Sequence, residues 1–427
     1  MLPLIAVAVV IQAQVPTLSK VEQAEGFKVL SGPDATSQWR GYKQQSFPAK
    51  GWKVADGVMS TVPGGGGGDI ITTEQYGDFE LILEYKTAPK ANSGIMYRVT
   101  EKNPASYETG PEYQIYDDIG NKLKLTDPHA AGALYDLYPP GEGKVEKEGD
   151  WNQARIWFRN GVVQHWLNGV KVVDATAFDA AGKPTKEWLD HIAASKFKAT
   201  DGFGVQPRGY LALQEHGDEV AFRNIKVRAL DKPVAGEKPL FNGKDLTGWE
   251  AVVPDLKAKG EDQASVWSVK DGILICKGVP AGYIRTKDTF ANYILKVEWR
   301  FNPVTKDAGN SGVLLRMTGA DKVWPKSVEA QLQSGSAGDF WNIDEVKMTA
   351  DPARTKGRNT KHTHAAERAV GEWNEYEIIV NHGDVILYVN GEELNRATQV
   401  EEVAGHICLQ SEGKEIQFKS VRLVPLD

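Results

Sequence analysis

The sequence predicts an all-β chain: two β-sandwiches of jelly-roll type, two sheets face to face in each, arranged in tandem. Three observations carry that prediction: a set of landmarks that occurs twice in one order, runs that alternate apolar and polar, and Asn-Gly turns between those runs. Asn92-Ser-Gly94, ending at Arg98, returns as Asn310-Ser-Gly312, ending at Arg316. Glu112-Tyr-Gln114 returns as Glu329-Ala-Gln331, and Trp151-Asn152 as Trp373-Asn374. An Asn-Gly lies 17 residues beyond each of those Trp residues, at Asn168 and Asn390. Gly209 to Gln214 and Gly405 to Gln410 both read Gly-x-x-x-Leu-Gln, with Phe222 and Phe418 each eight residues further on. A period near 200 residues is too long for a solenoid, so the chain is two homologous domains. Its 427 residues suit two full cores.

In chain order, residues 1–13 come first. MLPLIAVAVVI followed by Gln12-Ala13-Gln14 reads as a secretory signal cleaved after Ala13, without the usual basic start; a first core strand is the competing reading. The apolar run is short for a membrane span, so no membrane span is expected and the location expected is periplasmic or extracellular. The first domain is expected over residues 24–231. Its Gly64–Gly68 run opens no helix and carries no Lys-Ser/Thr, so it is a loop and not a phosphate cradle. Phe79–Tyr85 and Ala154–Phe158 alternate as half-buried strands, and Asn160-Gly161 and Asn168-Gly169 mark hairpins. Between Asn168 and Gly209 the first copy has 41 residues, where the second has 15 between Asn390 and Gly405. The surplus, Pro184 to Phe197, predicts one amphipathic helix with Pro184 in its first turn and Trp188, Ile192 and Phe197 on one side.

Residues 232–239 are proline-bounded and form the expected linker. The second domain, 240–427, repeats the pattern in Ile294–Trp299, Glu375–Val380 and Asp384–Val389. Cys276 and Cys408, both in the second copy, leave a disulfide and two buried thiols as open alternatives. A net charge of -7 with no polybasic run excludes nucleic acid as a partner.

Alternate side chains of a strand share a face, so Glu112, Gln114 and Tyr116 project together, as do Glu329, Gln331 and Gln333. Tyr113, Ile115, Ala330 and Leu332 should fill the core and leave the polar row on an open sheet face. Arg98 and Arg316 end the neighbouring strand signatures and are expected beside the row. Carboxylate, amide, hydroxyl and guanidinium groups together suit sugar hydroxyls; a solvated face with a Glu–Arg pair is the competing reading. His129, in a loop after the Glu-x-Gln strand, and His216 are candidate acid/base groups near such a groove. His362 and His364 read as exposed or capping, and Trp151 and Trp373 as core. No zinc-ligand cluster is present, while an oxygen-ligated divalent metal using Glu112, Asp117 or Asp118 stays open. Sandwich β-glucanases carry Glu-x-Asp-x-x-Glu on one strand. Here the stretches are Glu112-x-Gln114-x-x-Asp117 and Glu329-x-Gln331-x-x-Ser334, which disfavours ordinary two-carboxylate hydrolysis.

Taken together, Leu240-Phe-Asn-Gly-Lys-Asp-Leu-Thr-Gly-Trp249, Asn92-Ser-Gly94, Glu112-Tyr-Gln114, His129-Ala-Ala-Gly-Ala-Leu-Tyr135, Trp151-Asn152, Ser195-Lys-Phe197, and Leu213 to Gly217 with Phe222 to Ile225 resemble the 3-keto-disaccharide hydrolase domain family. The resemblance implies a concanavalin A-like jelly roll in each copy. It also implies cleavage of glycosides already oxidised at C3 by a separate oxidoreductase, through loss of the C2 proton, elimination and hydration. Such chemistry needs a base, an acid and a charge for the enolate, and the roles expected here are His129 or Glu112 as base and acid, Arg98 as enolate stabiliser, and Gln114, Tyr135 and His216 as positioning groups, with Tyr116 also binding substrate. Arg316, Glu329 and Gln331 would bind substrate in copy two. A non-catalytic carbohydrate-binding protein is the alternative. Copy two lacks the His129–Tyr135 stretch, the Ser-Lys-Phe helix and the His after Leu-Gln.

Overall fold

The computed structural model describes residues 17–426, so the expected signal at residues 1–13 lies outside the described residues. The chain divides into two compact units, one ending at Pro233 and one beginning at Val234. Each unit is a pair of antiparallel sheets. In the first, a five-stranded sheet runs Trp39–Gly41, Ile70–Tyr76, Gly209–Leu213, Asn92–Val99, Glu112–Tyr116, and an eight-stranded sheet, which includes Phe79–Thr87 and Asn152–Arg159, packs behind it. Phe79, Leu81, Leu83 and Tyr85 meet Ile95, Tyr97, Tyr113 and Ile115 in one buried cluster, as the period of two requires. The second unit pairs a nine-stranded with an eight-stranded sheet, and Leu295, Val297 and Trp299 meet Val313, Val328 and Ala330 between them.

Most of the repeated landmarks are parts of this scaffold. Ser93 and Ser311 donate to the carbonyls of Gln214 and Gln410, at 2.9 and 2.8 Å, and so tie neighbouring strands together. Asn168 donates to Asn152 Oδ1 at 2.9 Å, and Asn390 to Asn374 Oδ1 at the same distance. Asn168 and Asn390 both take a φ of 50°, which Asn-Gly tolerates in a tight hairpin. Gly209 and Gly405 lie against a strand bulge, where an added Cβ would stand 2.3 and 2.4 Å from the backbone of Arg98 and Arg316. Trp151 and Trp373 are not core residues: each is half-buried on an outer face, beneath Arg223 at 4.0 Å and Arg300 at 4.3 Å.

The surplus of copy one forms a helix over Lys186–Ala194, capped by Thr185, whose hydroxyl accepts from Trp188 N at 3.2 Å. Pro184 therefore precedes the cap, and Phe197 falls beyond the helix, stacked on Phe203 at 3.8 Å. Cys276 and Cys408 are free and buried, in different sheets, so no disulfide joins them.

Candidate active site

Strand register gathers the polar row. Glu112 lies opposite Met96, Gln114 opposite Gly94, and Tyr116 opposite Asn92. Met96 lies opposite Ala212, and Ala212 opposite Ile71. Paired residues share a face, and Tyr113 and Ile115 fill the core, so Glu112 and Gln114 stand on the side away from it. The row continues through Gln214, whose N donates to Gly94 O at 3.0 Å, to Asp69, which accepts from Glu215 N at 2.9 Å.

The face is not open as expected: Glu112 is 6% and Gln114 2% exposed. The chain around residues 123–138 covers the free edge of their strand. Tyr135 N donates to Glu112 O at 2.9 Å, and Gln114 N donates to Ala133 O at 3.0 Å. The helix of the insertion braces that loop, with His191 stacked on Tyr138 at 3.9 Å. Just past the helix, Lys196 N donates to Asp136 Oδ2 at 2.7 Å, and the Lys196 ammonium lies 4.2 Å over the Tyr135 ring.

Glycine 94 makes room for the carboxyl at the centre: a Cβ there would stand 1.9 Å from Glu112 Oε1. Burial pushes Glu112 up to about 8; the Lys196 ammonium opposes that shift and the Asp69 carboxylate adds to it. Burial also raises Asp69, against the Ser106 hydroxyl and Glu215 N–H that favour its ionised form. Gln114 Oε1 and Asn92 Oδ1 are buried with no hydrogen-bond partner among the described residues. Buried polar atoms without partners are costly, so two on one face mark where a ligand's hydroxyls would bind.

His129 packs edge-on to Tyr135 at 4.9 Å, with Nδ1 2.8 Å from Asp127 Oδ1 and Nε2 3.3 Å from Asp136 Oδ1. Both ring nitrogens are thus engaged by carboxylates, and His129 holds the loop that carries Asp136. His216 is exposed at the other end of the row, its Nε2 3.4 Å from Asn92 Nδ2. Tyr116 is half-buried opposite Asn92, its phenol raised by burial and by nearby Asp118.

Arg98 is not beside the row. It takes a φ of 53° in a bulge, which turns its guanidinium to lie 3.5 Å over Phe158 and to bond Gly77 O at 3.1 Å and Asp78 at 3.2 Å. Arg316 does the same in copy two, with a φ of 50° and bonds to the carbonyls of Ala291, His382 and Glu401. Alternation breaks at such a bulge, which is why sequence placed both wrongly. Arg98→Gln is therefore expected to lower the melting temperature and leave any catalytic rate of the folded protein unchanged; a rate loss at unchanged stability would restore it to the site.

A metal site built from Glu112, Asp117 and Asp118 is not assembled. Asp117 accepts from Gly120 N and Lys90 N, Asp118 accepts twice from Ala131 N, and no three metal-ligating groups converge among the described residues. A cavity of about 250 Å³ on the other sheet is lined by Glu22, Glu84 and Lys226, which already pair with Lys226, Arg223 and Glu22.

The family model for the 3-keto-alpha-glucoside-1,2-lyase-like domain matches residues 26–228 and again 236–424. The chain belongs to this family, in two copies. A 3-keto-disaccharide hydrolase of Bacteroides thetaiotaomicron is 30% identical over 249 residues, which is 51% of this chain and 83% of that protein. A crystal structure from Parabacteroides distasonis, called a "putative glycosyl hydrolase", is 31% identical, covering 50% of this chain and 99% of its own, at a TM-score of 0.44. A β-glucanase of Bacillus licheniformis is 14% identical over 45% of this chain and 99% of its own, at a TM-score of 0.30.

The second lyase-like domain keeps the carboxyl and loses its surroundings. Glu329 is buried and pushed up to about 8 by burial, with Glu412 adding to the shift. Gln331 turns onto its own chain, accepting from Leu332 N at 2.8 Å and Gln333 N at 2.9 Å. Where Tyr135 lies beside Glu112, Trp341 lies opposite Glu329. His362 bonds Asp339 and His364 bonds Glu392, at 2.7 and 2.9 Å. In the first lyase-like domain, Lys196, Asp69 and Gln214 escaped the sequence reading. The signal for Lys196 was there, in a Ser-Lys-Phe stretch held by one copy only.

Proposed function

We propose that the first domain cleaves glycosides carrying a ketone at C3 of the sugar, by removing the C2 proton, expelling the C1 substituent and adding water. The observation that carries this reading is the Glu112 carboxyl, buried and pushed up to about 8 beside an exposed Lys196 ammonium, in a chain of this family. A C3 ketone acidifies the C2 proton, and a carboxylate with so raised an affinity for protons is a matched base for it. Ionised Glu112 takes the C2 proton, and the electron pair of that bond forms the enolate at the C3 oxygen. Lys196 supplies the positive charge that the enolate oxygen needs. The enolate re-forms the ketone as the C1–O bond breaks, and the new carboxylic acid of Glu112 protonates the departing oxygen. Water then adds at C1 and a solvent proton at C2, giving the free 3-keto sugar and the alcohol. In this reading Gln114, Asn92, Gln214 and His216 hold ring hydroxyls, and Tyr135 and His129 position Lys196.

The ketone must be made first, so the pathway partner is an oxidoreductase acting on C3 of a glycoside. With the apolar start read as a secretory signal, the enzyme works in the periplasm or outside the cell. Incubation with a 3-keto disaccharide and with its unoxidised parent tests the reading. Cleavage of the ketone form alone is expected; equal cleavage of both, or of neither, overturns it.

A further inference from the structure

We infer that the outer face of the second sandwich is a separate binding site for unoxidised sugar, which it holds without cleaving. The inference stands on its own residues and not on the chemistry proposed for the first domain.

Four buried polar atoms on this side of the second domain have no hydrogen-bond partner among the described residues: Glu329 Oε1, Gln410 Oε1, Asn310 Oδ1 and the Tyr283 hydroxyl. Glu329 is 4% and Gln410 2% exposed, so neither is satisfied by bulk water. They are aimed at one place. A Cβ on Gly312 would stand 2.3 Å from Glu329 Oε1 and 2.4 Å from Gln410 Oε1, so both oxygens converge above a bare glycine. Register puts Tyr283 opposite Gln410, and Leu314 between Cys408 and Glu329. So many unpartnered groups in one domain are costly unless a ligand supplies their partners.

The chemistry of the ligand follows from the lining. Trp341 stands across from Glu329, and Trp324, half exposed, lies near the Glu412 carboxyl, whose proton affinity burial raises and the indole lowers. Aromatic faces beside neutral donors and acceptors suit the C–H faces and hydroxyls of a pyranose. Burial keeps Glu329 in its neutral acid form, so it donates as well as accepts. The titratable groups facing it are Glu412, which raises it, and Arg358 on the short hairpin at residues 355–360, which lowers it.

The features assigned to cleavage in the first domain are missing here. Among the described residues no insertion brings a lysine over an aromatic ring beside the carboxyl, Trp341 takes the place of Tyr135, and Gln331 is turned onto its own backbone. Glu412 stands two residues past Gln410, where copy one has His216 two past Gln214.

The test is titration of the full chain with unoxidised α- and β-linked glucose disaccharides, followed by calorimetry and tryptophan fluorescence, with 3-keto disaccharide cleavage assayed in the same samples. Saturable binding is expected, weakened about tenfold, or about 1.4 kcal/mol, in Trp324→Ala and restored in Trp324→Phe. Cleavage should be unchanged in both. Because Trp324 is at the surface, its variants keep the fold. Absence of saturable binding, binding indifferent to Trp324→Ala, or cleavage of the parent sugar would overturn the inference. Failure of binding with ketone cleavage intact would overturn this inference alone.

Discussion

Glu112→Gln is expected to lower kcat on a 3-keto glycoside by about 10³-fold, mid-range for losing a positioned acid–base group, and to leave substrate binding nearly unchanged. The substitution keeps the shape and the hydrogen-bonding capacity of the side chain and removes only its ability to take and return a proton. The wild-type pH profile carries the same information. Burial pushes Glu112 up to about 8, and the active form of a base is the ionised one, so kcat/KM rises about tenfold per pH unit below about 8 and levels above it. Stability moves the opposite way. The folded-state value lies above the 4.5 of a free carboxyl, so this group's contribution is fully present below about 4.5 and is lost as pH rises through about 8. Glu112→Gln is therefore expected to melt higher than the wild type at pH 9, with the difference disappearing at pH 4. Thermal melts at the two pH values measure it. A pH-independent kcat/KM, or a variant that keeps wild-type turnover, would remove Glu112 from the chemistry.

Lys196→Met is expected to cost about 10²-fold in kcat, the scale of losing one electrostatic partner of a developing oxyanion. The loss should fall on kcat and spare KM, because the substrate ketone is neutral and only the enolate is charged. Lys196 is exposed and lies on the rings of Tyr135, Phe197 and Tyr107. Its replacement should leave the melting temperature within a degree or two, as for ordinary surface substitutions. Lys196→Arg keeps the charge and should recover part of the rate. A loss confined to KM would make Lys196 a binding residue, with the enolate stabilised elsewhere.

Much of the scaffold was legible because the forces that set it are local and periodic. A half-buried strand must alternate, so Phe79–Tyr85 and Glu112–Tyr116 declare which side chains enter the core. The duplicated landmarks were legible as a pattern before their physical reasons were. Gly94 and Gly312 clear space for a carboxyl, and Gly209 and Gly405 admit a bulge, constraints that appear only once strands lie side by side. The site was half legible. Glu112 and Gln114 follow from alternation within one strand, but Arg98 sits in a left-handed bulge that no residue type announces. Lys196 depends on a helix pinned by Trp188, whose indole donates to Gly204 O at 2.9 Å, and by the Tyr138–His191 stack. Those contacts join segments far apart in sequence, so spacing alone does not report them. The burial of the polar row has the same origin, since the loop that covers it packs by tertiary contact.

Cleavage of a 3-keto disaccharide in heavy water tests the account most directly, with the released sugar read by mass and by proton resonance at C2 at early times, less the exchange seen without enzyme. Elimination and hydration hand the original C2 proton to the departing alcohol, so the 3-keto product should carry solvent deuterium at C2 in every turnover. Release of a product that keeps its original C2 proton would mean direct hydrolysis at C1, and would contradict a reaction that begins with proton removal by Glu112.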